Sequence, residues 1–248
     1  MNLFKLVFTV ALAMCMGNAV AQRLAYSSDG NFHDKDDLCA TAMAISIAAE
    51  AGKKNKVVHV DYNNHLGKSN KKQADKHKAN VNKMRGHYGY TSNIFFDDRN
   101  QAGAATNNLK SEINKSSASD KLNLHCAGPM EMCWRGANAA QQAKRQFVTA
   151  ISHSKWNNNH ADTPQLKHKW GALCNTGVKC KKIPNQNKHA YKSKVSAWQW
   201  LQQKGQAGKD LFKITKSKKG DCSDAGMMHF SLTGNNKPKM NQIKALFN

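Results

Sequence analysis

Acidic residues are scarce in this sequence, and they are unevenly placed. The 248 residues contain 16 Asp and Glu against 38 Lys and Arg, which gives a formal net charge of +22. Four of the acids, Asp29, Asp34, Asp36 and Asp37, nevertheless fall close together, directly before a helix-like run of alanines. Crowded carboxylates repel one another unless they hold protons or bind a cation. This segment is therefore the first candidate for chemistry.

Long apolar runs are absent beyond the N-terminus, and roughly 20 apolar residues are needed to cross a bilayer. Residues 1–21 combine Lys5, the apolar stretch LVFTVALAMCM and the small-residue sequence AVA before Gln22. That pattern is typical of a cleaved export signal and is too short for a membrane anchor. We therefore predict an exported protein without a membrane span, periplasmic or secreted after cleavage near Ala21. Residues 22–248 are predicted to form a single domain.

C-x-x-C pairs are also absent, which argues against a zinc module. Apart from Cys15 in the export signal, six cysteines remain, and an even number in an exported chain permits disulfides. Cys174 and Cys180 are the best candidates for a local disulfide, because together they close a short basic loop. Cys39 and Cys126 lie in apolar contexts, where they can also be buried thiols.

Arginine is rare, so the basic excess is mostly lysine, spread along the whole chain. A surface with this charge attracts polyanions such as nucleic acid or acidic polysaccharide. Arginine binds phosphate better than lysine, however, because its guanidinium group can donate two hydrogen bonds at once. The basic residues also do not repeat at a spacing that would place them on one face of a helix or strand. We therefore interpret the charge mainly as a solubility feature. Nucleic acid is a disfavoured partner that the charge does not exclude.

No Pro/Gly/Ser-rich linker interrupts the chain after the export signal, and short apolar runs alternate with segments of helical composition. The predicted strands are 23–28, 56–62, 92–98, 121–128, 146–154 and 209–215. The predicted helices are 37–51, 68–84, 101–114, 131–144, 164–173 and 197–204. Such alternation indicates βαβ units. The sequence therefore predicts an α/β fold, with a mostly parallel, Rossmann-like sheet that carries helices on both faces.

Polar residues follow each of the first five predicted strands. The exits read SDGNFHDKDD, DYNNHLG, FFDDRN, HCAGPMEM and SHSKWNNNHAD. Ligands of open parallel sheets bind beyond the carboxyl ends of the strands. One polar exit is an ordinary loop, but five together predict a single site at this edge of the sheet.

The acidic loop favours a hard divalent ion. Asp29, Asp36 and Asp37 offer oxygen ligands, which suit Ca²⁺ or Mg²⁺ better than Zn²⁺. One aspartate can be explained as the cap of the following helix, but capping does not account for three or four. An EF-hand is a poor alternative, because its central glycine and closing glutamate are missing at the required offsets.

The segment around Asp29 resembles the first motif of the nucleoside hydrolase superfamily, including its exported relatives. In both, a strand is followed by an aspartate, a short turn and then two aspartates, here Asp36 and Asp37, that open a helix. Three later segments fit the same order. CAGPMEM (126–132) is similar to the family's Gly-Pro turn, ISHSKWNNNHAD (151–162) to its asparagine-bearing sugar loop, and SDAGMMHFSLTG (223–234) to its late aspartate opening a helix. The resemblance spans residues 23–234. It implies a nucleoside hydrolase-like fold and hydrolysis of a glycosidic bond in a nucleoside or related small glycoside.

The resemblance also implies roles for matching positions. Asp29, Asp37 and Asp224 would hold Ca²⁺, with Mg²⁺ as the alternative, and a ligand at or near Glu131 would complete the site. Asp29 would in addition be the base that deprotonates a metal-bound water. Asp36 would act in catalysis by holding sugar hydroxyls. A glycosidic bond breaks through an oxocarbenium-like state, which adjacent carboxylates stabilise.

Further candidates surround this core of acids. The substrate-binding candidates are Asn31, Asn64, Glu131, Trp156, Asn157, Asn158 and Asn159. Trp156 can stack on a sugar or base, although core packing explains it equally well. Glu131 begins a helix, where a carboxylate is favoured in any case. Asn64 can line the pocket or merely turn the chain.

The chain departs from the family pattern at Ser223, where one class of nucleoside hydrolases has a histidine that protonates the leaving base. His160 is our candidate for a substitute acid, with His153 and His33 as alternatives. The departure favours a second hypothesis, a non-catalytic glycan-binding protein on the same scaffold. A third is a basic nucleic-acid-binding protein or nuclease, since MRGHYGYTSN (84–93) is similar to the Asp-Arg-Gly-His motif of secreted nucleases, although Met84 replaces the aspartate. The sequence is also compatible with a homo-oligomer.

Overall fold

The computed structural model describes residues 21–32 and 37–247, and six strands of this part form one sheet. The strands are β1 (Ala21–Ser28), β2 (Val57–Tyr62), β3 (Phe95–Asp97), β4 (Asp120–Ala127), β5 (Val148–Ser152) and β6 (Lys179–Lys182). Their order is β3-β2-β1-β4-β5-β6, and every neighbouring pair is parallel. This is the strand order of Rossmann-type doubly wound sheets. The predicted α/β fold is confirmed.

Helices connect the strands. The α-helices are α1 (Asp37–Glu50), α2 (Lys71–His87), α3 (Asp98–Asn114), α4 (Glu131–Ala139), α5 (Gln142–Arg145), α6 (Lys155–Asn159), α7 (Trp170–Cys174), α8 (Gly205–Ser217), α9 (Ala225–Thr233) and α10 (Met240–Ala245). Short 3₁₀ helices span Lys54–Lys56, Ser92–Ile94, Gln186–Lys188 and Val195–Gln203.

Both faces of the sheet are covered, as the alternation of side chains along β1 shows. Leu24 and Tyr26 belong to the apolar core beneath α1, α2, α8, α9 and α10, whereas Ala25 belongs to the core beneath α3, α4 and α7. Successive residues of a strand point to opposite faces, so one strand serves both cores. The first core contains α1, which packs against α2, α8 and α9. Because α1 is enclosed, it is apolar nearly all round.

The predicted strand 209–215 is wrong, because this segment lies inside helix α8. The buried residues Gly208, Leu211, Ile214 and Thr215 of this helix recur at helical spacing, which is not the alternation of a strand. The sixth strand is instead β6, whose residues are all exposed at the edge of the sheet. Lysine-rich exposed edges resist pairing with other chains but carry little apolar signal.

Three predicted helices are shorter or different in the structure. The segment 131–144 is broken into α4 and α5, and only the last part of 164–173 is helical, as α7. The segment 197–204 falls in the 3₁₀ helix Val195–Gln203 rather than an α-helix. The helix predicted after Asp224 is present as α9.

Six cysteines lie in three pairs at disulfide distance. They are Cys39–Cys222, Cys126–Cys133 and Cys174–Cys180. The local pair predicted from the sequence is confirmed, whereas Cys39 and Cys126 are paired rather than free buried thiols. Disulfides persist in oxidising compartments, so these pairs are compatible with an extracellular protein.

Among the described residues, no helix combines the length and the apolar composition that a membrane crossing requires. The export signal is predicted over residues 1–21, and residues 1–20 of it lie outside the described part of the chain.

Two buried histidines are held neutral by the fold. His125 donates through Nδ1 to the Ala25 carbonyl at 2.7 Å, and its Nε2 accepts from Ser231 Oγ at 2.7 Å. His229 Nδ1 lies 3.0 Å from the Tyr191 hydroxyl oxygen, within hydrogen-bond distance. Burial lowers the pKa of each ring to about 4 from an ordinary 6.5. Both rings therefore resist protonation in the folded state.

We expect the free energy of unfolding to fall as the pH drops from 6.5 towards 4. In that window the unfolded chain binds protons that the folded state excludes, so acid favours unfolding. At about 1.4 kcal/mol per pKa unit, His125 alone accounts for a loss of up to about 3 kcal/mol. Urea unfolding between pH 7.5 and 4 measures the slope. The variant His125→Gln should show a shallower slope, and an unchanged slope would contradict this assignment.

Candidate functional site

The candidate site lies where the direction of the strand order changes, between β1 and β4. Asp29 directly follows β1, and its N–H donates to the Ala127 carbonyl at the end of β4 at 3.0 Å. Gly128 has φ of +121°, and a Cβ there would lie 2.9 Å from the Asp29 Cγ. A side chain at position 128 would therefore push against the Asp29 carboxyl group. Such a switch point is where open parallel sheets bind ligands.

A dinucleotide does not suit this switch point. Nucleotide-binding sheets of this order place a glycine-rich turn after β1, so that helix N–H groups receive a pyrophosphate. Here the turn carries Asp29, and Asp37 occupies the first turn of α1. Both carboxyl groups are buried, and they would repel a phosphate. The same acids suit a cation or the hydroxyl groups of a sugar.

The side chains of Asp37 and Asp224 interact with each other, although the two residues come from opposite ends of the chain. Asp37 begins α1 and Asp224 immediately precedes α9, and these two helices pack together. The disulfide Cys39–Cys222 joins the same two regions across a sequence separation of 183. Each cysteine lies two residues from one of the two aspartates. The disulfide thus holds together the chain segments that carry these acids.

Asp224 is fixed by two residues that follow β5. His153 contacts the Oδ1 atom of Asp224 through Nε2, and Asn157 Nδ2 donates to Oδ2 at 3.3 Å. The other ring nitrogen of His153 accepts the Gln186 backbone N–H at 3.2 Å, so the ring proton lies on Nε2, facing Asp224. Burial raises the pKa of Asp224, but its contacts with His153, Asp37 and Asn157 outweigh burial and hold the pKa below its ordinary value.

Two asparagines at this edge present buried carbonyl oxygens. Among residues 21–32 and 37–247, none donates a hydrogen bond to Oδ1 of Asn158 or of Asn64. The Nδ2 group of Asn64 donates to Ser27 Oγ at 2.9 Å, which fixes the orientation of that amide. A buried acceptor costs free energy unless a donor reaches it. Both amides are therefore suited to accept hydroxyl groups of a ligand.

Other predicted binding residues make contacts within the protein. Asn31 donates to the carbonyls of His65 and Lys68, both at 3.1 Å, and so shapes the loop after β2. Asn159 is exposed and donates to the Lys155 carbonyl at 3.0 Å. Trp156 is half-buried and stacks on the His160 ring, with centroids 3.9 Å apart.

Glu131 anchors a neighbouring segment. Its carboxylate accepts from Arg135 Nε at 2.9 Å and from the backbone N–H groups of Lys167 and His168 at 2.9 and 3.0 Å. Burial raises the pKa of Glu131, but these hydrogen bonds hold it below its ordinary value. The metal and substrate roles implied for this residue stay predictions.

Three residues named above, Asp34, Asp36 and the alternative acid His33, lie outside the described residues. The nuclease-like segment is described, and it places Arg85 and His87 in the last turn of α2. His87 Nε2 lies 3.0 Å from Asp210 Oδ2, in a structural pair with the acid of α8. This pairing gives no support to a nuclease role.

Sequence reasoning missed a pair of acids at the ends of β2 and β3. Asp61 accepts from Ser27 Oγ at 2.6 Å and lies 2.8 Å from His59 Nε2. Asp98, at the start of α3, is buried beside it and lines a cavity of about 280 Å³. Burial first and then the neighbouring Asp61 raise the pKa of Asp98 well above its ordinary value. The Asp-Asp pair in FFDDRN was the signal that could have identified Asp98.

A second missed cluster consists of His65, His160 and Asp162. Within the described part of the chain it is the one set of three His, Cys, Asp or Glu residues whose ligand atoms all lie within 4.8 Å of one another. Asp29, Asp37 and Asp224 do not meet that distance as a set. The sequence reasoning proposed His160 as a substitute acid and did not single out Asp162.

Comparison with known proteins adds one relative of nearly full length. The chain is 28% identical over 232 aligned residues to "Uncharacterized protein P22" of Formosa agariphila, and the alignment covers 86% of this chain and 84% of the relative. The similarity therefore extends over most of both chains and is not confined to one motif. No protein-family model matches the sequence.

Proposed function

We propose that this protein is a divalent-cation-dependent hydrolase that cleaves the glycosidic bond of a nucleoside or related small glycoside. The observation that carries the proposal is the meeting of Asp37 and Asp224 beside the end of β1, where Asp29 lies. Buried carboxylates that interact with each other favour a proton or a cation between them. The motifs that resemble the nucleoside hydrolase superfamily assign metal ligands to the same three aspartates, which supports the proposal.

The donor chemistry of the three aspartates fits a hard ion. Asp29, Asp37 and Asp224 offer only carboxylate oxygens, the ligands that Ca²⁺ prefers and that Mg²⁺ also accepts. Calcium sites are flexible in geometry and complete their shell with carbonyls and water. Ligand oxygens on one Ca²⁺ ion lie at most about 5 Å apart, so the three aspartates would have to move closer together to bind the ion directly. When bound, the ion would lower the pKa of the attacking water.

The protein's own residues supply the other parts of the reaction. Asp29 accepts a proton from the attacking water, and its charge stabilises the oxocarbenium-like state. Asn158 and Asn64 accept sugar hydroxyls through their buried Oδ1 atoms. His153 and Asn157 position Asp224. These contacts orient the sugar before its bond to the leaving group breaks.

We assign to His160 the role of the acid that donates a proton to the leaving group. Ser223 is buried, and a serine hydroxyl is too weak an acid to replace the histidine of the family pattern. His160 is half-buried, stacks on Trp156 and lies 3.1 Å from Asp162 Oδ1.

A sugar-release assay tests this function. Nucleosides and small glycosides are incubated with the protein in Ca²⁺, in Mg²⁺ and in EDTA, and reducing sugar is measured. We expect release from at least one substrate, loss in EDTA and recovery when the ion is restored. Asp224→Asn should abolish release, whereas Asp120→Asn, at the opposite end of the sheet, should retain it. The absence of release across the panel in both ions would overturn the proposal.

The second candidate is a glycan-binding protein without turnover. It is favoured by Ser223 in place of an acid and by the buried acceptors of Asn64 and Asn158. Sugars that raise the melting temperature but release no product would support it. The third candidate, a nucleic-acid-binding protein or nuclease, is supported by net charge, since the pairing of His87 with Asp210 gives its nuclease-like segment no support. It predicts DNA affinity that falls steeply with salt.

A further inference from the structure

Three ligand-type atoms converge where the loops after β2 and β5 meet. His65 Nε2 lies 2.9 Å from Asp162 Oδ1, and His160 Nε2 lies 3.1 Å from the same oxygen. The His65 side chain is fully buried, His160 is half-buried, and Asp162 is exposed. Two imidazoles therefore face one carboxylate oxygen at the protein surface.

Two of the three spacings between these atoms are close to those of a metal site, and the atoms all lie within 4.8 Å of one another. Zn²⁺ binds imidazole nitrogen and carboxylate oxygen at about 2.0–2.2 Å, which places tetrahedral ligands about 3.3 Å apart. The two distances to Asp162 Oδ1 are only a few tenths of an ångström shorter. Small rotations of the side chains would admit an ion.

Neighbouring residues orient each of the three side chains. Lys68 Nζ donates to Oδ2 of Asp162 at 2.9 Å, which directs the other oxygen towards the two histidines. The Trp156 ring stacks on His160, and the Phe32 ring packs edge-on against His65 with centroids 5.2 Å apart. Orientation of ligands by a second layer of contacts is typical of metal sites.

The ligand set differs in kind from the aspartates proposed to hold Ca²⁺. Imidazole nitrogens favour borderline transition metals such as Zn²⁺ over Ca²⁺ or Mg²⁺. Three protein ligands leave a fourth position for water, as in catalytic rather than structural zinc sites. His65 also lines the cavity of about 280 Å³ next to Asp98.

We propose that His65, His160 and Asp162 form a second metal site, which binds a Zn²⁺-class transition-metal ion beside this cavity. The site does not depend on the proposed glycosidic activity. It does change the role of His160, because a metal-bound imidazole nitrogen cannot also protonate a leaving group. Occupancy of the site would therefore inhibit a reaction that uses His160 as its acid.

Metal titration of the untagged protein tests the proposal. Ca²⁺ is kept in excess, so that hard-oxygen ligands are occupied, and Co²⁺ is added as a spectroscopic probe, followed by competition with Zn²⁺. We expect one Co²⁺ per chain, with visible absorption typical of four-coordinate cobalt and displacement by Zn²⁺. His160→Gln and Asp162→Asn should each weaken Zn²⁺ binding at least tenfold. Both positions are accessible to solvent, and circular dichroism verifies that the variants fold.

The matched control is His168→Gln. His168 also stacks on a tryptophan, with centroids 3.2 Å from Trp134, and also contacts a carboxylate, 2.9 Å from Glu131. It lacks a second histidine and should leave Zn²⁺ affinity unchanged. Absence of Zn²⁺ binding in the starting protein would overturn the proposal. Affinity that survives both His160→Gln and Asp162→Asn would also overturn it, since the ion would then lie elsewhere.

Discussion

Removal of the Cys39–Cys222 disulfide, by replacing both cysteines with serine, should lower the free energy of unfolding by roughly 5 kcal/mol. A cross-link restricts the unfolded chain more strongly as the loop it closes grows longer, and this pair is separated by 183 residues. Urea unfolding at neutral pH measures the loss. Because the pair lies beside Asp37 and Asp224, the variant should also respond less to added calcium.

The matched control for this prediction is the Cys174–Cys180 disulfide. It closes a loop with a sequence separation of only 6, so its replacement by serine should cost roughly 2 kcal/mol. The calcium response of this second variant should be unchanged, since the pair joins α7 to the edge strand β6. Equal losses for the two variants would contradict the long-range role of Cys39–Cys222.

Asp29→Asn should reduce the turnover number on the best substrate by roughly 10²–10⁴-fold, the range that general-base assistance contributes. The amide has nearly the shape of the carboxylate but cannot accept a proton from water. Removing one of several crowded negative charges should not lower the melting temperature in the absence of calcium. Steady-state kinetics and thermal unfolding measure the two effects together.

The result for Asp29→Asn separates a catalytic from a structural role. A variant that loses activity because it unfolds would lose thermal stability as well. Asp120→Asn provides the comparison, since Asp120 pairs with Arg23 at the start of β4, away from the carboxyl ends of the strands. Activity in Asp29→Asn within a few-fold of the starting protein would contradict the assigned base.

The parallel sheet could be predicted from the sequence because most of its strands are short apolar runs between helical segments. Two elements resisted this reasoning for physical reasons. Strand β6 is rich in lysine and exposed at every position. It therefore lacks the apolar residues by which a strand is identified in a sequence. The segment 209–215 has the apolar composition of a short strand. Its buried residues, taken together with the preceding Gly208, recur every three or four positions, as they do in a helix.

The candidate site was only partly accessible to the same reasoning. Polar strand exits predicted its edge of the sheet, but the pairing of Asp37 with Asp224 rested on the resemblance to a family. His153 was identified only as an alternative acid, and its contact with Asp224 depends on the path of the chain after β5. Asn31 was predicted to bind substrate, but its amide donates hydrogen bonds that stabilise a loop of the protein. The sequence does not distinguish this structural role from ligand binding.

Calcium binding by Asp37→Asn, Asp224→Asn and the double variant tests the central claim most directly. Calcium at about 100 times its dissociation constant should stabilise the starting protein by about 2.7 kcal/mol. If both acids hold one ion, each single variant should lose nearly all of this stabilisation and the double variant no more than either. A calcium response that persists in both single variants would contradict the claim.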